Sequence, residues 1–136
     1  MNIFQSSKSK LPGTNGTELY RYANAIYKKI ASRTKRRPYI RSKYFKKEKV
    51  FLDYFWGHLE TKNWNDRVRR LTYYNCAIDL IMNTTSRPEI VSNPNNRSQR
   101  FYRFRGKTRE GERFAVQIME NINGTEKLFI SLYPDP

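Results

Sequence analysis

A chain of 136 residues suits one domain built on one hydrophobic core. Its 27 Lys+Arg against 12 Asp+Glu give a formal charge of +15, and 15% of its residues are aromatic. That aromatic content excludes a wholly disordered chain, and no run approaches the ~18 apolar residues that span a bilayer.

The charge is unevenly spread. Residues 1–49 hold 14 Lys/Arg with only Glu18 and Glu48, a net +12, whereas residues 50–136 hold 13 against 10 acids. Like charges in proximity repel, so a one-sided block is best tolerated when a polyanion neutralises it and releases counterions. Nucleic acid, an anionic membrane surface and an acidic protein all qualify. The start, Met1 to Lys8, has no apolar stretch, so no secretory leader is expected. Cys76 is the single cysteine and falls in an apolar helical pattern, which makes it a core residue. The Asn-x-Ser/Thr triplets at Asn15, Asn83, Asn96 and Asn123 carry no weight without a secretory route. The expected location is the cytoplasm.

Residues 1–16 are polar, with Pro12, Gly13 and Gly16. Thr17 can cap a helix from Glu18 to about Ser32, with Leu19, Ala23, Ile26 and Ile30 at helical spacing. Lys28, Lys29 and Arg33 crowd its C-terminal end, where the helix dipole favours cations. A basic breaker follows, Thr34 to Arg41, in which Pro38 fixes an extended turn. Residues 1–41 are therefore expected to form a basic N-terminal arm, and residues 42–136 a single α+β domain.

The aromatic stretch 42–62 fits a helix slightly better than a strand. Asn63 and Asp66 then suit the start of a helix reaching about Asn83, with Val68, Leu71, Tyr74, Ile78 and Ile81 on one stripe. Arg67, Arg69 and Arg70 lie in its first turns, the unfavourable end for cations, which suggests an outside anion, although the neighbouring Asp66 already supplies some negative charge there. Residues 84–97 read as a loop. Period-two alternation then predicts strands over about 99–107, 112–120 and 127–133, with an Asn123-Gly124 pair at the second turn. The expected architecture is α+β: N-terminal helices packed on one face of a C-terminal three-to-four-stranded antiparallel sheet.

Alternation sorts the faces of that sheet. Tyr102, Phe104, Phe114, Val116, Ile118, Leu128, Ile130 and Leu132 form the expected core face. Arg103, Arg105, Lys107, Gln117, Ser131 and Tyr133 form the opposite one. Arginine forks match phosphate oxygens and tyrosine stacks on unpaired bases, although a solvated polar face is also normal for an antiparallel sheet. His58, the one histidine, has the ordinary pKa for proton transfer at neutral pH. Metal-free RNA cleavage needs such a group, an acid for the leaving oxygen and cations for the charged phosphorane. His58, Ser131 or Tyr133, and Arg103 or Arg105 could supply these, while His58 between Gly57 and Leu59 equally suits a partly buried structural role. One His and one Cys exclude a zinc cluster, so no metal and no cofactor is expected.

The order of these features, His58-Leu59 leading into a helix, then Pro88-Glu89-Ile90, then Ser131-Leu132-Tyr133-Pro134, resembles the barnase–EndoU–colicin–RelE superfold. The likeness is to its phage- and toxin-associated nuclease branch and spans about residues 50–136. It implies His58 as general base or acid, Arg103 as phosphate ligand, and Ser131 and Tyr133 as substrate contacts. Several families of the superfold place a second His where this chain has Tyr102 or Arg103.

Two functions follow as expectations. The first is an RNA-binding, toxin-like, metal-independent endoribonuclease, with RNA favoured over DNA and an acidic antitoxin or immunity protein as a further partner. The second is a non-catalytic basic nucleic-acid-binding module. Beyond the four catalytic candidates, the residues expected to touch nucleic acid are Lys35, Arg36, Arg37, Arg41, Lys43, Arg67, Arg70, Arg105, Lys107 and Gln117. A membrane surface ranks last, because the first helix carries no Trp or Phe on its apolar stripe.

Overall fold

The computed structural model describes residues 3–123 and 126–136. Its elements in chain order are β1 (Phe4–Gln5), α1 (Gly16–Ala31), β2 (Tyr39–Ser42), β3 (Glu48–Phe51), α2 (Asp53–Leu59), α3 (Trp64–Leu71), α4 (Tyr74–Asn83), β4 (Glu89–Ser92), β5 (Gln99–Lys107), β6 (Arg113–Asn121) and β7 (Lys127–Pro134). The three strands with clear alternation, β5, β6 and β7, form the expected antiparallel meander. Gly124 of the expected Asn-Gly turn lies outside the described residues.

The sheet itself corrects the expected architecture. Among the described residues it has seven strands and is mixed, in the order β1-β5-β6-β7-β3-β2, with β4 also paired to β5. Two seams are parallel: β1 on β5 at Gly106 and Lys107, and β3 on β7 at Lys127 and Leu128. The additional strands are two to four residues long, too short to show a period in sequence. Residues 1–41 contribute β1, α1 and most of β2 to this same sheet and core, and Leu19, Ala23 and Ile40 are buried there. The aromatic stretch 42–62 divides into a turn, β3 and α2.

Helix ends follow local chemistry. Asn15, not Thr17, caps α1, its Oδ1 accepting from the Glu18 N–H at 2.9 Å. Asn63 caps α3 in the same way, accepting from Asp66. The single helix expected to run to Asn83 is instead two. Thr72 ends α3, its N–H and its hydroxyl both donating to the Val68 carbonyl, at 3.1 and 2.9 Å, and α4 restarts at Tyr74. Six residues of α4 are buried, Tyr74, Cys76, Ala77, Ile78, Leu80 and Ile81. Burial pushes the Cys76 thiol up to about 11, so the side chain behaves as a small hydrophobe.

A bulge resets the core face of β7. Gln117 pairs with Ser131 but Ile118 pairs with Phe129, which leaves Ile130 as the extra residue. Leu132 therefore points into the core as expected, but upstream of the bulge the inward residues are Phe129 and Lys127 rather than Ile130 and Leu128. Phe129 is fully buried and stacks on Phe55 of α2, with ring centroids 4.5 Å apart and planes within 3°. On β5, Gly106 also faces inward. A Cβ there would lie 2.6 Å from the Phe114 ring and 2.8 Å from Leu80, so glycine is what lets α4 approach the sheet.

The inward Lys127 is 5% exposed and joins three strands. Its ammonium reaches Glu48 of β3 at 2.7 Å and Glu120 of β6 at 3.0 Å, over the Phe45 ring. Tyr102 donates its hydroxyl to Glu120 at 2.9 Å. Burial alone would raise the Glu120 carboxyl, but the bonds from Lys127 and Tyr102 outweigh it and hold the group below its ordinary value. Burial likewise pulls Lys127 down, and the two carboxylates more than reverse this.

A carboxylate held low stabilises the fold above its unfolded pKa, about 4.3, and loses that contribution as pH falls through the lower folded value. In urea titrations, Glu120→Gln is expected to cost about 2–3 kcal/mol at pH 7, since Glu48 still partners the buried ammonium. Below about pH 4 the parent should lose stability faster than the variant. Parallel acid curves for the two proteins would contradict this account.

Candidate nucleic-acid interface

The outward face of the meander carries a polar row set by strand register. Glu89, Arg103, Gln117 and Ser131 lie side by side on β4, β5, β6 and β7. The next row is Arg105, Ala115 and Tyr133. Three of the four catalytic candidates, Arg103, Ser131 and Tyr133, thus share one patch. Arg70 of α3 joins it, donating to Ser131 Oγ at 3.2 Å and to the Leu132 carbonyl at 3.1 Å on the part of β7 that β3 does not cover.

Much of the charge in this patch is internally matched. Arg103 pairs with Glu89 at 3.1 Å, and Arg105 with Asp135 at 2.7 Å and Glu89 at 3.8 Å. Arg70 pairs with Asp66 at 3.2 Å. Among the described residues, Arg103 Nε is buried without a hydrogen-bond partner, while its Nη1 is the nitrogen that pairs with Glu89.

His58 lies on α2, half-buried and stacked on the exposed Tyr54 with ring centroids 6.2 Å apart. Its side chain makes no hydrogen bond to Ser131, Tyr133 or Arg103 among the described residues. Burial lowers its pKa, and the charges of Lys62 and Arg70 lower it further, so the imidazole is neutral at pH 7. Arg70 is the link between His58 and Ser131, touching Ser131 through a hydrogen bond and His58 through its field.

The other basic candidates divide by partner. Arg37 is a structural clamp: it forks onto Asp53 at 3.0 and 3.1 Å, pairs with Glu126 at 2.9 Å and lies 4.3 Å over the Phe51 ring. Arg67 donates to the Glu60 and Lys62 carbonyls, closing the chain that follows α2. Lys107 sits opposite Arg113 at the end of the meander. Lys35, Arg36, Arg41 and Lys43 are exposed, and none forms an ion pair among the described residues.

Those exposed cations belong to a feature that sequence reasoning covers only in part, the β2–β3 hairpin. Arg41 and Lys49 stand directly opposite one another and crowd the same Tyr39 ring, at 5.5 and 4.7 Å. Like charges in facing positions destabilise a strand pair. At the tip, Lys46 and Lys47 take positive φ, 56° and 67°, a conformation costing roughly 1–2 kcal/mol for a residue with a Cβ. Glu48, the hairpin's one acid, is engaged by Lys127. Lys47 and Lys49 are not among the residues expected to touch nucleic acid; the +12 block that contains them is the signal that could have found them.

Compared with known proteins, the chain matches no family model, and neither a curated protein nor a solved structure matches it. No helix among the described residues is long and apolar enough to cross a membrane.

The placement of Arg70 yields a direct measurement. By proton NMR, His58 should titrate below its ordinary value of about 6.5. Arg70→Gln should move that titration upward while burial and Lys62 keep it depressed; an unchanged titration would separate Arg70 from His58.

Proposed function

We propose that this protein binds nucleic acid along the edge formed by the β2–β3 hairpin and the basic segment before it. The observation that carries this reading is the hairpin's chemistry. Arg41 and Lys49 face one another, none of Arg41, Lys43, Lys46, Lys47 and Lys49 has an ion-pair partner among the described residues, and two of the lysines adopt strained backbone. A lysine on an edge strand also discourages strand-to-strand aggregation. That purpose is met by one charge and gives no reason for facing cations or positive φ. A phosphate backbone relieves the repulsion and releases counterions as it binds. This activity fits a cytoplasmic protein, the location expected from the sequence.

Binding to a labelled oligonucleotide should weaken steeply with salt. Replacing Lys43, Lys46, Lys47 and Lys49 by Gln should reduce the slope of log affinity against log salt by about 3, at roughly 0.7 for each phosphate no longer neutralised on a single strand. Replacing only Lys46 and Lys47 by Gly should raise the unfolding free energy by about 1 kcal/mol while lowering affinity, because relieved strain and removed charge act in opposite directions. A salt-independent affinity, or one untouched by the lysine substitutions, would remove this reading.

A second reading rests on the polar row. Arg70 at Ser131 and the outward Arg103 are the cations that would meet a phosphate there, with His58 as the base that the resemblance implies, giving a metal-independent endoribonuclease. Labelled RNA incubated with the protein in EDTA should then be cut, and His58→Ala should slow cleavage by about 10²–10⁴-fold. Intact RNA, or equal cleavage by the variant, would leave a binding protein without nuclease activity.

A further inference from the structure

Beside the basic hairpin, a groove of about 840 Å³ opens between α1, α4 and β2. It falls within the size range of small-molecule sites. Its floor is apolar, made by Ile26 and Ile30 of α1, Ile40 of β2, and Ile78 and Met82 of α4. Ile40 and Ile78 are buried, while Met82 is 44% exposed. Its rim is cationic: Lys8, Lys29, Arg33 and Arg41 approach from three separate parts of the chain, without ion-pair partners among the described residues. The one carboxylate in the lining, Asp79, already accepts from Ser6 Oγ at 2.7 Å, from the Ser7 N–H and from the Asn83 amide.

The groove therefore suits a molecule that is apolar at its centre and anionic at its margin. A small anionic amphiphile would need one or two cations and would leave the continuation of charge from Arg41 onto Lys43, Lys46, Lys47 and Lys49 without a purpose. A polymer of phosphates uses the whole track. We infer that the groove receives one unstacked base of a single strand whose phosphates run along the rim and onto the hairpin, so that the protein selects single strands over duplex. This inference rests on the hairpin's binding nucleic acid and adds a selectivity that the hairpin alone lacks. A paired base is held inside its stack and cannot enter the groove, whereas an unpaired one exchanges water for an apolar floor.

The test measures affinity of the full chain for three probes at equal salt: a single-stranded RNA oligonucleotide, its blunt duplex, and the same strand made abasic. The single strand should bind about 10-fold tighter than the other two, the order expected when one base face leaves water for an aliphatic floor. Met82→Trp, which fills the groove from an exposed position, should bring the three affinities within about twofold while leaving the salt slope unchanged. A thermal melt matching the parent checks that the variant is folded. With the unsubstituted protein, a 2-aminopurine base in the strand should become shielded from acrylamide quenching on binding, so the inference does not depend on the variant. Equal affinities for all three probes with a full salt slope would overturn the base-binding groove and leave the hairpin reading standing. Binding to none of them would overturn both.

Discussion

Two residue pairs, Val50 with Lys127 and Phe51 with Leu128, form the whole of the parallel seam between β3 and β7. That contact joins the β2–β3 hairpin to the meander, and so short a ladder cannot hold it alone. The hairpin is held as well by Ile40, Phe45 and Val50, which are buried in the core, and by the buried Lys127 ammonium, shared between Glu48 of β3 and Glu120 of β6. Removing an ion from water costs several kcal/mol, and the cost is met here because two carboxylates and an aromatic face surround one cation. A second clamp acts nearby, where Arg37 ties the segment before β2 to Asp53 at the start of α2 and to Glu126 beside β7.

These contacts explain how the protein distributes its few acids. Glu48, Asp53, Asp66, Glu89, Glu120, Glu126 and Asp135 are each engaged by an arginine or by Lys127. The acids thus secure the architecture and match the meander's outward Arg103 and Arg105, whereas Arg41, Lys43, Lys46, Lys47 and Lys49 of the hairpin and Lys8, Lys29 and Arg33 of the groove rim have no ion-pair partner among the described residues.

The limits of sequence reading follow the same division. Alternation located β5 at its observed bounds and β6 and β7 within a residue or so, because each is long enough to repeat the inward–outward pattern. Strands of two to four residues cannot repeat it, and the parallel seams are tertiary contacts with no local signature, so the sheet's size and mixed sense were hidden. Leu128, Ile130 and Leu132 alternate perfectly in sequence, yet the one-residue bulge makes only Leu132 a core residue. The candidate site was legible as residue types on a face: Arg103, Ser131 and Tyr133 do share one. Illegible were the carboxylates that neutralise Arg37, Arg103 and Arg105, which come from other elements, whereas Asp66, four residues before Arg70 on the same helix, stood in view. The positive φ of Lys46 and Lys47 was equally hidden, because nothing in a lysine's identity announces it.

The bulge at Ile130 also bears on how the chain can change length. Elsewhere in the meander, losing one residue would turn every following side chain to the opposite face. At position 130 the pairing already skips a residue, so Phe129 and Ser131 would remain opposite Ile118 and Gln117 after its removal. This makes it a natural site for a single-codon deletion: the last strand could shorten by one while Phe129 kept its place against α2 and Ser131 its contact with Arg70.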